Sequence, residues 1–300
     1  MKFSIWGLSG SLTTQHPHDL AFAEQRLWHW LDAVDATCNR FRSDSEISRL
    51  NEQAGYTVAI SSTLEMALDA ALGAAAMTNG LCDPTVLPAL ISLGYSHDFA
   101  ILQRDGAPAP RAPIPAPGTG AIELDRERHT VRLAPGCRLD LGASAKALVA
   151  DVVADEVASR GGVVVEIGGD VAVRGSDSQG PWVIGVSDSL HLSGREPRVS
   201  VADAGLATSS ITTRTWRAGD QMVNHLIDPR TGSFARGPYA TATVSADTCL
   251  RANAFATAAL LWGEDAAYHI AQAGLSARLV RHEGTVEYIG GWPSDEESGA

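Results

Sequence analysis

The sequence predicts an α+β protein, with mixed or antiparallel sheets and packed helices, rather than a doubly wound one. Three observations carry this. Short segments of strand character outnumber helical ones, and the two kinds do not alternate in the regular order of βαβ units. The third is composition: 300 residues, 45% hydrophobic and 19% charged, supply ample chain for a packed core.

The elements follow in order. Residues 2–15 alternate loosely and predict an opening strand, and "DLAFAEQRLWHWLDAVDATCNRF" (19–41) carries Leu20, Leu27, Leu31 and Val34 at helical spacing. Ser43 with Glu46, and Ser62 with Glu65, have the capping-box spacing and open two further helices, the second stopped by Gly80. "RDGAPAPRAPIPAPGTG" (104–120) is too rich in Pro and Gly for anything but a surface loop. Strands "AIELD" and "HTVRLA" follow, then a strand "RLDL" running into the helix "GASAKALVADVVADEVASR". Strands are predicted at "VVVEIGG", "VAVRG", "WVIGVS", "RVSVAD" and "YATATVSAD", with a helix from near Asp247 to Trp262. One more helix and two strands precede "SDEESGA". The expected organisation is one domain over 1–292, with room for two intertwined subdomains around the 104–120 loop, and an acidic disordered tail over 293–300.

Charge narrows the function. A formal net charge of -12 with no basic run argues against a nucleic-acid binder. An acidic chain that handles a phosphate needs a metal ion or backbone N–H groups to help it. No stretch approaches the roughly 20 apolar residues of a membrane span. The start "MKFSIWGLSGSLTTQHPHD" is too short and polar for a secretory signal, and the four scattered Cys form no C-x-x-C pair. The expectation is a cytoplasmic protein with reduced thiols.

Several motifs could carry chemistry, and each has a plain structural reading beside it. Asn253 and Thr257 lie one helical turn apart beside a stripe of Ala, either as core hydrogen-bonding groups or as oxygen ligands for Mg²⁺. "LDLGASAK" places small residues at a helix start with Lys146 in reach of an anion, but lacks the P-loop spacing. "VEIGGDVAVRG" reads as strand, turn, strand, and Asp83 of "CDPTVLPAL" can bond an N–H two residues on. "ATSSITTRTW" is a run of hydroxyls, either a polar edge or donors to phosphate. In "NHLIDPRTG" (224–232) turn chemistry accounts for Asp228, Pro229 and Gly232, leaving His225 as either a structural residue or a base for a hydroxyl proton.

Taken in order, these pieces resemble the ApbE family of FAD:protein FMN transferases. "FRSDSEISRLN" is similar to F-R-x-D-S-E-[LI]-S-R-L-N, "CDPTVLPAL" to F-D-P-T-V-x-P-L, and "LDLGASAKALVAD" to L-D-L-G-G-I-A-K-G-Y-A-V-D. "VEIGGDVAVRG" resembles V-N-L-G-G-D-I-x-x-x-G, "ATSS" resembles A-T-S-G, "NHLIDPRTG" resembles x-H-[IL]-[IL]-D-P-x-T-G, and "RANAFATAAL" resembles x-A-D-A-L-A-T-A-L. The resemblance spans about residues 4 to 262 and implies an ApbE-like, T-fold-like architecture. It also implies a Mg²⁺-dependent enzyme that takes FAD as substrate, attaches FMN to a Thr or Ser of an acceptor protein and releases AMP. By position it implies His225 as base with Asp228 holding its loop, and Asn253, Thr257 and the Ala145 carbonyl as metal ligands. FAD contacts are implied at Trp6, Asn51, Leu81, Cys82, Asp83, Gly142 and Leu148, with Lys146, Asp151 and Thr231 at family positions nearby.

The chain also departs from the family pattern. Asn253 stands where the family has Asp, which predicts weaker metal affinity because one negative ligand is lost. Ala143 and Ala147 replace two Gly, Ser210 and Ile211 replace the Gly and Asp after A-T-S, and Glu166 replaces an Asn. Two other functions fit the same residues: a Mg²⁺-dependent FAD pyrophosphatase in which water replaces the acceptor, and a flavin-binding protein without catalysis.

Overall fold

The computed structural model describes residues 1–188 and 196–298. In chain order the elements begin with β1 (Lys2–Ile5), β2 (Leu8–Thr14), α1 (Leu20–Cys38), α2 (Glu46–Glu52), β3 (Thr57–Ala59), α3 (Ser62–Met77), α4 (Leu87–Ser92) and α5 (Phe99–Asp105). There follow β4 (Ile122–Asp125), β5 (Thr130–Leu133), α6 (Ala145–Ala158), β6 (Val163–Ile167), β7 (Asp170–Arg174), β8 (Trp182–Gly185), β9 (Arg198–Val201) and β10 (Ala204–Ser210). The last are β11 (Thr215–Ala218), β12 (Gln221–Asn224), β13 (Ile227–Asp228), β14 (Ser233–Phe234), β15 (Tyr239–Ala246), α7 (Cys249–Trp262), α8 (Ala266–Gln272), β16 (Ser276–Arg281) and β17 (Val286–Ile289). The class is α+β with antiparallel sheets, as the sequence predicts.

The chain divides into two compact units, each built from separated segments: Met1–Trp30, Lys146–Thr213 and Arg236–Ala300 in one, Leu31–Ala145 and Arg214–Ala235 in the other. The loop 104–120 lies inside the second.

The first unit holds an eight-stranded sheet in the order β1-β2-β6-β7-β10-β15-β16-β17. Every neighbouring pair is antiparallel. Successive residues of a strand point to opposite faces, and β10 uses both. Leu206 joins Val164, Val171, Val173 and Trp292 in a core shared with the β8–β9 ribbon. Its neighbour Gly205 faces α7, where an added Cβ would lie 2.0 Å from the Cys249 backbone nitrogen, so the strand and the helix start meet backbone to backbone. α7 is buried nearly all round, with Ala252, Ala254, Ala256, Ala258 and Ala259 fully covered. Small side chains let the helix lie close on β10 and β15.

In the second unit β3, β5 and β4 form an antiparallel sheet in that order, with two short hairpins, β11–β12 and β13–β14. Leu87, Leu90, Leu93, Tyr95, Trp216 and Ile227 form one of its hydrophobic clusters. Trp216 is buried with its indole N–H donated to the Leu93 carbonyl at 2.9 Å, so the polar handle of the largest core side chain is satisfied.

Four local expectations need correction. The opening strand is a hairpin: Ile5 pairs with Leu8, and Trp6 and Gly7 take φ of 51° and 71°, the positive pair that a two-residue turn of the primed type requires. Its turn residue is a Trp, which carries no turn signal. The segment 138–141 is no strand; its backbone pairs with the Asn51 side chain and the Pro84 carbonyl instead of a ladder. The N-cap of α2 is Ser45, which accepts the Ser48 N–H, and that of α3 is Ser61, which accepts the Leu64 N–H. Glu46, freed from a capping box, bonds the Ser61 N–H and hydroxyl instead. At the other end of α3, Gly80 at φ 82° donates its N–H to the Ala75 carbonyl at 2.7 Å, closing the helix as expected.

The end of the chain carries contacts as far as it is described. Arg278 is buried and pairs with Asp188 and Asp295 at 2.7 and 2.8 Å. Of the tail expectation, residues 299 and 300 lie outside the described residues.

Candidate active site

In the second unit the loop 224–232 is fixed from both ends. Asn224, buried at the end of β12, accepts the Leu226 N–H at 3.1 Å and donates to the Ala235 carbonyl at 3.0 Å. These two bonds tie Asn224 to the backbone at Leu226 and Ala235, closing the base of the loop that carries His225, which is half-buried. Asp228 accepts the Arg230 N–H at 3.0 Å, and takes its guanidinium through both carboxylate oxygens at 2.8 Å. Its carbonyl accepts the N–H of Gly232 at 2.8 Å. Gly232 has φ 73°, and a Cβ there would lie 2.1 Å from the Ile114 carbonyl oxygen, so glycine is required twice over. Thr231 accepts the Ser233 N–H. Asp228 therefore holds the loop, and Asn224 is a positioning residue that turn chemistry alone did not single out.

The same unit brings the "CDPT" and "LDLGAS" segments together. Cys82, Asp83, Asp140, Ala143 and Ser144 line one shallow depression. Asp83 accepts the Thr85 N–H at 2.8 Å and the Thr85 hydroxyl at 2.7 Å, the local turn expected of Asp-Pro. Gly142 donates its N–H to Asp140, whose other oxygen pairs with Arg40 at 2.5 Å. Asn51 spends its amide on both backbone groups of Leu139, at 2.9 and 2.7 Å, so it shapes the rim through the backbone 88 positions away. Leu81 is buried, and the Cys82 N–H is donated to Thr78.

The first unit holds the polar set around α7. Asn253 and Thr257, one turn apart, are both buried. The Asn253 amide nitrogen donates to Asp170 Oδ1 at 2.9 Å, and Lys146 Nζ lies 3.0 Å from Asp170 Oδ2. Asn253 Oδ1 is buried and accepts no hydrogen bond. An oxygen with two lone pairs and no donor is costly in a protein interior, and a hard cation satisfies it as well as an N–H would. Thr257 Oγ1 lies 3.2 Å from the Ser209 hydroxyl, which joins the "ATSS" run to the same helix face. Among the described residues no three His, Cys, Asp or Glu side chains gather as a metal site. The donor set is thus amide and hydroxyl oxygen, which suits Mg²⁺ and not a soft metal.

Other candidates have structural duties. Asp151 accepts the Cys249 and Leu250 N–H groups, both at 2.9 Å, and Arg174 at 3.1 Å. A carboxylate on the first N–H groups of α7 satisfies donors that the helix cannot. Burial still outweighs those bonds and raises its pKa above the ordinary carboxyl value. Trp6 forms the first hairpin turn, Leu148 is buried on α6, and Ala145 opens that helix with its N–H on the Leu141 carbonyl. Glu166, on β6, is pushed up chiefly by burial and secondarily by Asp170. All four cysteines are buried and none forms a disulfide, and burial raises the Cys249 thiol well above its ordinary value, which leaves it inert.

The chain is similar to known proteins over most of its length. The FAD:protein FMN transferase of Vibrio cholerae is 28% identical over 251 residues, 81% of this chain and 74% of that protein. The enzyme of the same name from Haemophilus influenzae is 28% identical over 253 residues, covering 81% and 73%. In structure, the chain matches the ApbE protein of Thermotoga maritima with a TM-score of 0.81 at 22% identity, over 96% of each chain. It matches the apo flavinyl transferase ApbE of Pseudomonas stutzeri with a TM-score of 0.79 at 21% identity, over 100% of this chain and 96% of that one. The ApbE family model itself matches residues 6–279, and the chain belongs to that family.

Proposed function

We propose that this chain transfers FMN from FAD to a Thr or Ser hydroxyl of an acceptor protein, with Mg²⁺, and releases AMP. The observation that supports it most is the buried, donor-less Asn253 Oδ1 beside Thr257, an oxygen pair suited to a hard cation. Asn253 Oδ1 and Thr257 Oγ1 would hold Mg²⁺, which when bound neutralises charge on the pyrophosphate oxygens. The rest falls to the chain's own residues. His225, on the loop whose base Asn224 closes, takes the proton of the acceptor hydroxyl. The hydroxyl oxygen then bonds to the FMN phosphorus as the bond to the AMP oxygen breaks, and AMP carries the released charge. Asp228 keeps the loop in place through Arg230 and Gly232. The segments that carry Cys82, Asp83 and Gly142 would contact FAD, with the backbone at Leu139 set by Asn51 and the Gly142 N–H held by Asp140. Residues 1–292 act as one transferase domain in this reading. A cytoplasmic location belongs to it too, supported by four buried cysteines that form no disulfide; no helix among the described residues is long and apolar enough to cross a membrane.

The test is incubation with FAD, Mg²⁺ and an acceptor domain, followed by AMP release and by flavin fluorescence on a denaturing gel. Fluorescent acceptor with AMP is the expected result. AMP with free FMN alone would make the protein a pyrophosphatase, and no AMP would leave it a flavin carrier.

A further inference from the structure

The replacement of a carboxylate by an amide at 253 raises a question of orientation. A carboxylate offers oxygen whichever way it turns, whereas an amide offers oxygen one way and N–H the other, and N–H groups repel a cation. Something must hold the amide the right way round.

We infer that Asp170 is a positioning residue that locks the Asn253 amide with its nitrogen inward and its oxygen toward the cation, while Lys146 locks Asp170. This rests on the metal assignment made above. The geometry is a chain of three side chains from α6, β7 and α7. Lys146 carries a positive charge and only donors, so the oxygen it faces, Asp170 Oδ2 at 3.0 Å, is held by ion pairing and not by an aligned hydrogen bond. Asp170 is 2% exposed and acceptor-only when ionised, so its Oδ1 can meet only the NH₂ side of Asn253, which it does at 2.9 Å. A flipped Asn253 would press two oxygens together beside a buried charge. The remaining amide oxygen is the buried acceptor that no donor fills. The negative charge that the helix lacks at 253 is thus kept one hydrogen bond behind, where it polarises the ligand oxygen instead of binding the metal itself.

The relay makes a prediction that depends on direction. In Asp170→Asn the lysine still claims an oxygen, so the new amide must turn its NH₂ toward Asn253. Asn253 then flips to accept it and presents N–H to the cation. In the double variant Asp170→Asn with Asn253→Asp, the new amide donates to one oxygen of the new carboxylate and leaves the other for the cation. Mn²⁺ is the probe, titrated against the full chain with saturating FAD and followed by the electron paramagnetic resonance of free Mn²⁺, with FAD alone as the blank. Asp170→Asn is expected to weaken Mn²⁺ binding about 10- to 100-fold, as loss of an outer-shell partner does. Asn253→Ala should weaken it too, and the double variant should restore it to the parent value or better. A merely structural role for Asp170 would show as lost binding in both Asp170→Asn and the double variant, which would overturn the relay. So would unchanged binding in Asp170→Asn where Asn253→Ala loses it. Failure of the metal assignment looks different: Asn253→Ala would bind Mn²⁺ like the parent, or the parent would bind none. If Asp170→Asn alone fails to fold, the double variant decides, with restored binding for the relay and lost binding against it.

Discussion

Replacing Asn253 by Asp puts an oxygen where the amide nitrogen now donates to Asp170 at 2.9 Å. Two things are lost without a cation. A hydrogen bond to a charged acceptor contributes about 1.5–3 kcal/mol. Two ionised carboxylates at that 2.9 Å separation repel by roughly 5–6 kcal/mol at an effective dielectric of about 20. The second figure cannot be reached, because protonating one carboxyl at neutral pH costs only about 4 kcal/mol and relieves the repulsion. Lys146, 3.0 Å from the far oxygen of Asp170, offsets part of what remains. The net cost to the metal-free fold is about 2–4 kcal/mol, or a fall in Tm of roughly 3–6 °C for a chain of this size. With Mg²⁺ and FAD the sign reverses, since the new charge faces the cation, and the variant should gain more on binding than the parent does. Thermal unfolding in chelator and in saturating Mg²⁺ with FAD measures both. Equal melting of parent and variant in chelator, or an equal gain on adding Mg²⁺, would refute the placement of Asn253 between Asp170 and the metal.

Further outcomes are expected elsewhere. His225→Ala should slow transfer about 10²- to 10⁴-fold while FAD binding by equilibrium dialysis stays near the parent value; a normal rate would remove the imidazole from the base role. Gly232→Ala combines a φ of 73° with a Cβ 2.1 Å from the Ile114 carbonyl oxygen, so it should lower Tm and increase proteolysis of the 224–232 loop. Protection equal to the parent would show that the loop relaxes freely. The hydrogen bonds of Arg26 hold the Glu156 carboxyl below its ordinary value, with burial opposing them. That stability is fully present above about pH 4.5 and is lost as pH falls through the depressed value, so the Tm difference between parent and Glu156→Gln should shrink on acidification below that point.

The sequence carries the local features well and the long-range ones poorly. Spacing placed Asn253 and Thr257 on one helix face, and turn chemistry explained Asp83, Asp228 and Gly232, because those interactions close within a few residues. Cap position slipped by one or two residues at α2 and α3, since several Ser precede each helix and only tertiary contact, here Glu46 on Ser61, selects among them. The segment 138–141 reads as a strand because its apolar alternation is real, yet it finds side-chain partners in place of a ladder. Asp170 looked like a turn residue after two Gly. Its bond to Asn253 spans 83 positions, and nothing in the local pattern announces it. Arg40 with Asp140, 100 positions apart, was invisible for the same reason.

Where the phosphorus goes separates protein transfer from hydrolysis most directly. Mass spectrometry of an acceptor digest after reaction, set beside the AMP released, counts both halves of FAD at once. One FMN esterified to a Thr or Ser for each AMP is the expected outcome, while AMP accumulating beside an unmodified acceptor would contradict protein transfer and make water the nucleophile.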